Sequence, residues 1–240
     1  MTQQQSENHT IIQSIILHLL PGILIGGFYF LIQQPVQNLG YPSIFALMLA
    51  IAFILVPVEL GYLLYKGKQA NGRYTLAGII SYRNAVPWWQ ILIWSLIVFI
   101  ATGAIFAVLK PLESILQESL FFWVPPLDSG LDGSYSKTAL VITYATMLIF
   151  GVIVGPLVEE LYFRGYLLPR IQGKFSVIFH SFLFATYHIF TPWMIISRTI
   201  GLLPLIYAVK RKNIYIGIIV HIVVNSLDVL TAVAFIVSMT

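Results

Sequence analysis

The sequence predicts an all-α protein: a polytopic bundle of transmembrane helices with about seven spans, within a range of six to eight. Two observations carry this. Hydrophobic residues make up 58% of the 240-residue chain and charged residues 9%, with a mean hydropathy of +0.88. A soluble domain has about 45–50% apolar and about 25% charged residues, so no water-soluble fold could hide this much apolar surface. Second, the apolar residues fall in continuous runs near the ~20 residues a helix needs to cross the hydrocarbon. They do not alternate, as the strands of a β-barrel would.

The runs lie at 11–32, 43–65, 88–109, 138–160, 175–191, 194–209 and 213–236. Before the first, Met1–Thr10 is polar, contains Glu7 and has no Lys or Arg. It therefore lacks the basic region of a cleavable signal peptide, and the first run is expected to remain as a membrane helix. Pro21, Pro57, Pro156 and Pro204 lie within runs, where neighbouring helices can satisfy the carbonyls they free. The fifth and sixth runs are short and separated only by Thr191-Pro192-Trp193, so they are expected to be tilted, broken or re-entrant. No internal repeat, low-complexity linker or soluble second domain is evident. The chain divides into residues 1–137, which carry no assignable motif, and residues 138–240, which carry the candidate chemistry.

The connecting loops set the topology. Lys66, Lys68, Arg73 and Arg83 in one loop, Arg170 and Lys174 in another, and Lys210-Arg211-Lys212 in a third are basic without acids. The 110–137 segment instead sets Lys110 and Lys137 against Glu113, Glu118, Asp128 and Asp132. By the positive-inside rule the three basic loops and the N-terminus are cytoplasmic and 110–137 is outside. A prokaryotic plasma membrane is the expected location. Trp88-Trp89 and Phe121-Phe122-Trp123 fit interfacial belts. The net charge of +4 comes from these loops and does not indicate nucleic acid. The chain has no cysteine, which excludes disulfides and thiol catalysis.

Against this apolar background, ionisable residues inside runs are costly and call for a use. The inventory is His18, Glu59, Glu159, Glu160, His180, His188, Arg198, His221 and Asp228. Glu160 and Arg164 are i, i+4 neighbours and can pair. Glu159 lies about 100° round the helix and faces elsewhere. His221 and Asn225 share a helical face, as do Phe184 and His188. Together these groups supply what peptide-bond hydrolysis in a membrane needs. A carboxylate or imidazole can take a proton from water, and an amide or protonated imidazole can meet the developing oxyanion. Two histidines and a carboxylate could also hold Zn²⁺ with an open position for water. Gly-x-Ser-x-Gly in the fourth run, an intramembrane aspartyl pair and His-Glu-x-x-His are absent.

Glu159-Glu160-x-x-x-Arg164, Phe184-x-x-x-His188 and His221-x-x-x-Asn225, in that order, resemble the CAAX-protease and bacteriocin-processing family of intramembrane endopeptidases. The resemblance covers about residues 138–230. It implies that Glu159 and His188 activate the attacking water, while His221 and Asn225 stabilise the oxyanion. It implies that Glu160 pairs with Arg164 to hold the site, with Phe184 packing beside it as a substrate-binding residue. If a metal is used, its ligands are His188, His221 and Glu159; a metal-free glutamate mechanism fits the same residues, and the cofactor stays open. The implied substrate is a hydrophobic or lipid-modified, CaaX-like peptide entering from the lipid. Prokaryotic relatives also serve bacteriocin immunity, so a prenylated substrate is not required.

Two rivals remain. One is a non-catalytic immunity or partner-binding protein of the same fold. The other is a small proton-coupled transporter, since intramembrane Glu and His also form proton relays, although no repeat symmetry supports it. Outside the motifs, His18, His180 and Arg198 read as packing, interfacial or snorkelling residues. Glu59 follows Pro57 and has no motif partner. Asp228 lies one turn beyond Asn225 and could orient His221 or Asn225. A straight fifth run would put His188 ~20 Å above its start, but His221 only ~12 Å above residue 213. The two meet only if that run tilts, protrudes or breaks.

Overall fold

The apolar runs are helical, and local chemistry sets where several of the helices begin and end. The computed structural model describes residues 8–239. Thr10 starts α1 (Ile11–Asn38) with a reciprocal cap: its hydroxyl accepts from the Gln13 N–H at 3.1 Å, and the Gln13 side chain accepts from the Thr10 N–H at 2.9 Å. Such pairing satisfies two donors that the first turn leaves open. α2 (Ser43–Asn71) stops at Gly72, whose φ of +72° is a left-handed conformation glycine adopts without strain. α3 spans Trp88–Ser119. α4 (Lys137–Arg170) is capped by Ser136, and α8 (Ile214–Ser238) by Asn213, whose side chain accepts from the Tyr215 N–H at 2.8 Å.

These five helices are long and apolar enough to cross a membrane. The remaining two runs behave differently. The fifth is α5 (Ser176–Tyr187), whose 12 residues rise about 18 Å, well short of the ~30 Å hydrocarbon core. The sixth is a broken pair, α6 (Pro192–Gly201) and α7 (Leu203–Arg211), bent by 43°. The break expected from Thr191-Pro192-Trp193 is therefore present, and a second follows at Leu202-Leu203-Pro204.

Tertiary hydrogen bonds sort the loops into two ends. At one end the Ser81 N–H donates to Gly165 O, the Ile214 N–H to Tyr82 O and the Lys210 ammonium to Ser176. At the other the Ile44 N–H donates to Asp128 O, Tyr144 to Ser129 O and Lys137 to Met239 O. All three basic loops thus share one end, and the acidic 120–136 segment lies at the opposite end. α5 rises from the basic end, the chain turns at 188–191, and α6–α7 return to it.

The outside is apolar: Leu31, Leu96, Ile100, Ile149, Leu230 and Val233 are all exposed. Exposed apolar surface on this scale marks contact with lipid. Trp88, Phe122 and Trp123 are also exposed, as interfacial belts require. The inside holds the polar groups, with His18, Glu59, Glu160, Arg164 and His180 all buried. Glycines in α1 allow one close approach. A Cβ on Gly22 would come within 2.2 Å of the Tyr187 carbonyl oxygen, and one on Gly26 within 2.5 Å of the Ile189 side chain. Small residues spaced by four let helices meet in this way inside membranes. They seat α1 against the turn that ends α5.

Candidate active site

α4 carries the two glutamates through a stretch where α-helical and wider π-helical turns alternate, with π turns at Met147–Val154 and Glu160–Leu167. Such turns concentrate at functional sites. Pro156 has no N–H to give the carbonyl of Gly151, five residues back. The Asn225 side-chain amide donates to that carbonyl at 2.8 Å instead. One amide hydrogen of Asn225 is therefore committed to α4, which fixes the orientation of the other.

Glu160 points into the protein and is 0% exposed. Its Oε1 is 3.3 Å from Arg164 Nη1 and 3.1 Å from His221 Nδ1. The Arg164 guanidinium in turn lies 3.7 Å from the centre of the Phe184 ring. An arginine held between a carboxylate and an aromatic face is a rigid arrangement. Glu159, one residue earlier, meets the other side of the same imidazole, with its Oε2 3.7 Å from His221 Nε2. The imidazole of His221 therefore bridges the two glutamates.

His188 is placed by the end of α5. The helix stops at Tyr187, and His188 adopts φ −82°, ψ 58°. The Phe184 carbonyl, left open by the helix end, is met by the His188 ring at 2.9 Å through Nδ1. A nitrogen facing a carbonyl must carry the hydrogen, which leaves Nε2 as an acceptor in the neutral ring. The helix is unbroken up to Tyr187, so its end does not lower His188; His188 and His221 nonetheless line one cavity.

These groups line one cavity of about 450 Å³. Glu159, Arg164, His188, His221, Asn225 and Asp228 all reach its wall, and the rest is largely apolar, from Ile25 and Leu47 to Phe106 and Leu202. The structure thus brings together every residue of the three sequence motifs. Phe184 also borders the cavity, but it is 2% exposed and its ring face is covered by Arg164. Its position suits holding Arg164 better than touching substrate. Among the described residues, no three His, Asp or Glu side chains are arranged to hold a metal ion. His221 has both ring nitrogens turned toward carboxylates, and His188 has one on a carbonyl, so the set Glu159, His188 and His221 does not fit a metal in this arrangement.

Sequence reasoning missed several contributors. Glu59, in a π-helical stretch of α2, accepts from the Tyr187 hydroxyl at 2.8 Å, and that hydroxyl also faces Glu159. Removing the hydroxyl strands a buried carboxylate. Tyr187→Phe is expected to lower stability by about 1–3 kcal/mol, measurable as a lower Tm in detergent micelles, whereas Ile189→Val in the same turn stays closer to wild type.

Gly217 sits one turn before His221. A Cβ there would lie 2.5 Å from Glu160 Oε2 and 2.8 Å from Val209. Gly217→Ala is therefore expected to displace Glu160 and reduce turnover at least tenfold with the protein still folded. Turnover and a size-exclusion profile measured together test this. His18 and His180, read from the sequence as packing or interfacial groups, are fully buried and joined by a 2.9 Å hydrogen bond between rings. Arg198 does not snorkel; it reaches the cavity.

Fold and site together define an all-helical membrane protein with a carboxylate–imidazole centre enclosed among its helices. Residues 141–227 match the type II CAAX prenyl endopeptidase Rce1-like family. The match covers 87 of the 240 residues and supports the resemblance that the three motifs carry to the CAAX-protease and bacteriocin-processing family of intramembrane proteases. Neither the curated proteins nor the solved structures provide a match to the chain.

Proposed function

We propose that the protein is an intramembrane endopeptidase that hydrolyses peptide bonds in hydrophobic or lipid-modified peptides through water activated by Glu159. The observation that carries this reading is the divergence of the adjacent glutamates. Both line the same apolar-walled cavity, but Glu160 is held by Arg164 at 3.3 Å and His221 at 3.1 Å, while Glu159 has its nearest charged partner, His221 Nε2, at 3.7 Å.

In this mechanism a water between Glu159 and His188 gives its proton to Glu159 as it attacks the substrate carbonyl. The free Nε2 of His188 accepts the water's other hydrogen and orients its lone pair. The second amide hydrogen of Asn225 donates to the oxyanion, aligned by its bond to Gly151. His221, held by Glu160 at Nδ1, becomes an Nε2–H donor when Glu159, 3.7 Å away, passes it the proton taken from water. It can then stabilise the oxyanion or give that proton to the leaving amine, which leaves Glu159 ionised for the next turnover. No step is routed through a metal, since the residues do not form a ligand set.

The cavity is an apolar pocket with a few converging polar groups, the usual form of a small-ligand site. It suits an apolar peptide stretch arriving from the lipid. The positive-inside rule places the basic end in the cytoplasm. Glu159 then lies roughly 16 Å up α4 from the cytoplasmic end, by helical rise.

The test is cleavage of a panel of quenched apolar and farnesylated peptides by the purified full-length protein, beside Glu159→Ala and His221→Ala, each with and without a strong chelator. Loss in both variants supports the reading, and unchanged activity with chelator supports the metal-free route. Cleavage that survives in both variants overturns it.

A further inference from the structure

We propose that Arg198 is an anion subsite within the cavity that binds the free terminal carboxylate of the peptide substrate. This rests on the protease reading above and deepens it. Two arginines reach the cavity, and they differ in kind. Arg164 is spent on Glu160 and Phe184.

Arg198, on α6 across the cavity, has no carboxylate within 4.0 Å among the described residues. Its guanidinium donates to the Thr191 hydroxyl at 2.8 Å and contacts the Met194 sulfur at 3.4 Å. That leaves most of its five N–H donors unused. The neighbouring carboxylate, Glu113, is already satisfied: Ser197 donates to one of its oxygens at 2.5 Å, and Lys110 lies 3.2 Å from the other. Adjacent positions of α6 are thus divided, with Ser197 anchoring the helix to α3 and Arg198 aimed into the cavity.

A guanidinium beside apolar walls at membrane depth is costly unless an anion meets it. The planar fork of arginine matches a carboxylate through two parallel hydrogen bonds. An apolar peptide without acidic side chains carries one carboxylate, at its C-terminus. Seated there, it would set which peptide bond lies over Glu159, since the chain would be measured from its end. The Thr191 bond makes the fork rigid, so little ordering is needed on binding.

The experiment uses full-length protein in phosphatidylcholine nanodiscs and dansylated hexapeptides of Leu, Ile, Val, Met and Phe, each as free acid and as C-terminal amide. Equilibrium binding is read by fluorescence, independently of turnover. The expected result is at least tenfold tighter binding of the acids than of the amides, equivalent to ~1.4 kcal/mol. That preference should disappear in Arg198→Gln and persist in part in Arg198→Lys, with all variants monodisperse. Equal binding of acid and amide by wild type, binding of neither, or a preference that survives in Arg198→Gln overturns the proposal. A lipid phosphate occupying Arg198 would appear as the first of these. Glu159→Ala tests hydrolysis separately, so the protease reading can stand while the subsite falls.

Discussion

Glu159→Gln is expected to lower kcat by about 10²–10⁴-fold, the range a positioned general base contributes, while leaving substrate affinity and Tm close to wild type. The amide keeps the shape of the side chain and loses only the capacity to accept water's proton. Glu159 makes no short salt bridge: its nearest charged partner, His221 Nε2, is 3.7 Å away. Steady-state kinetics on one apolar peptide, with a parallel thermal melt, separates this outcome from a folding defect. A fall in Tm that matched the loss of turnover would assign Glu159 a structural role.

Arg164→Ala is expected to be the most destabilising of the single substitutions considered, at about 3–5 kcal/mol, because it leaves the Glu160 carboxylate buried without its guanidinium. The arginine is 1% exposed and Glu160 0%. The companion change is informative. Replacing both partners together, Glu160→Met with Arg164→Met, is expected to recover much of that loss, since an apolar pair of similar volume needs no compensating charge. Activity should not recover with it, because His221 Nδ1 then has no carboxylate to hold the ring. A thermal melt and a turnover assay on the two single variants and the double variant check both halves. Full recovery of turnover in the double variant would show that Glu160 does not position His221.

Local geometry decided which parts of this site could be read from the chain. Glu160–Arg164 and His221–Asn225 are one turn apart, and helical periodicity alone puts each pair on a common face. The long apolar runs likewise announce their helices. The contacts that complete the site join residues far apart in sequence. Tyr187 meets Glu59 across 128 positions and Asn225 meets Gly151 across 74. No periodicity encodes such meetings. Pro156 and Gly151 offered a partial signal, since a proline in a span always leaves a carbonyl in search of a donor.

His188 shows the opposite limit. Its spacing from Phe184 suggested a shared helical face; the chain leaves the helix there, yet the ring still packs edge-on against the Phe184 ring, 4.9 Å between centres, and also reaches the Phe184 backbone carbonyl. The glycines were the least legible. Gly22 and Gly217 matter through the atoms that approach them, Tyr187 O and Glu160 Oε2, which belong to other helices. Arg198 could be listed from its position in a run. Its lack of a carboxylate partner could be seen only once Glu113 was found bound to Ser197 and Lys110.

The most direct test of the central claim is hydrolysis followed in ¹⁸O-labelled water. Full-length protein in nanodiscs is incubated with a mixture of apolar peptides, and the products are resolved by mass spectrometry. The account predicts fragments carrying one ¹⁸O at each newly formed carboxylate, produced by wild type and reduced at least a hundredfold in Glu159→Gln. Labelled fragments formed equally by both proteins would contradict it, because the water would then be activated by a group other than Glu159.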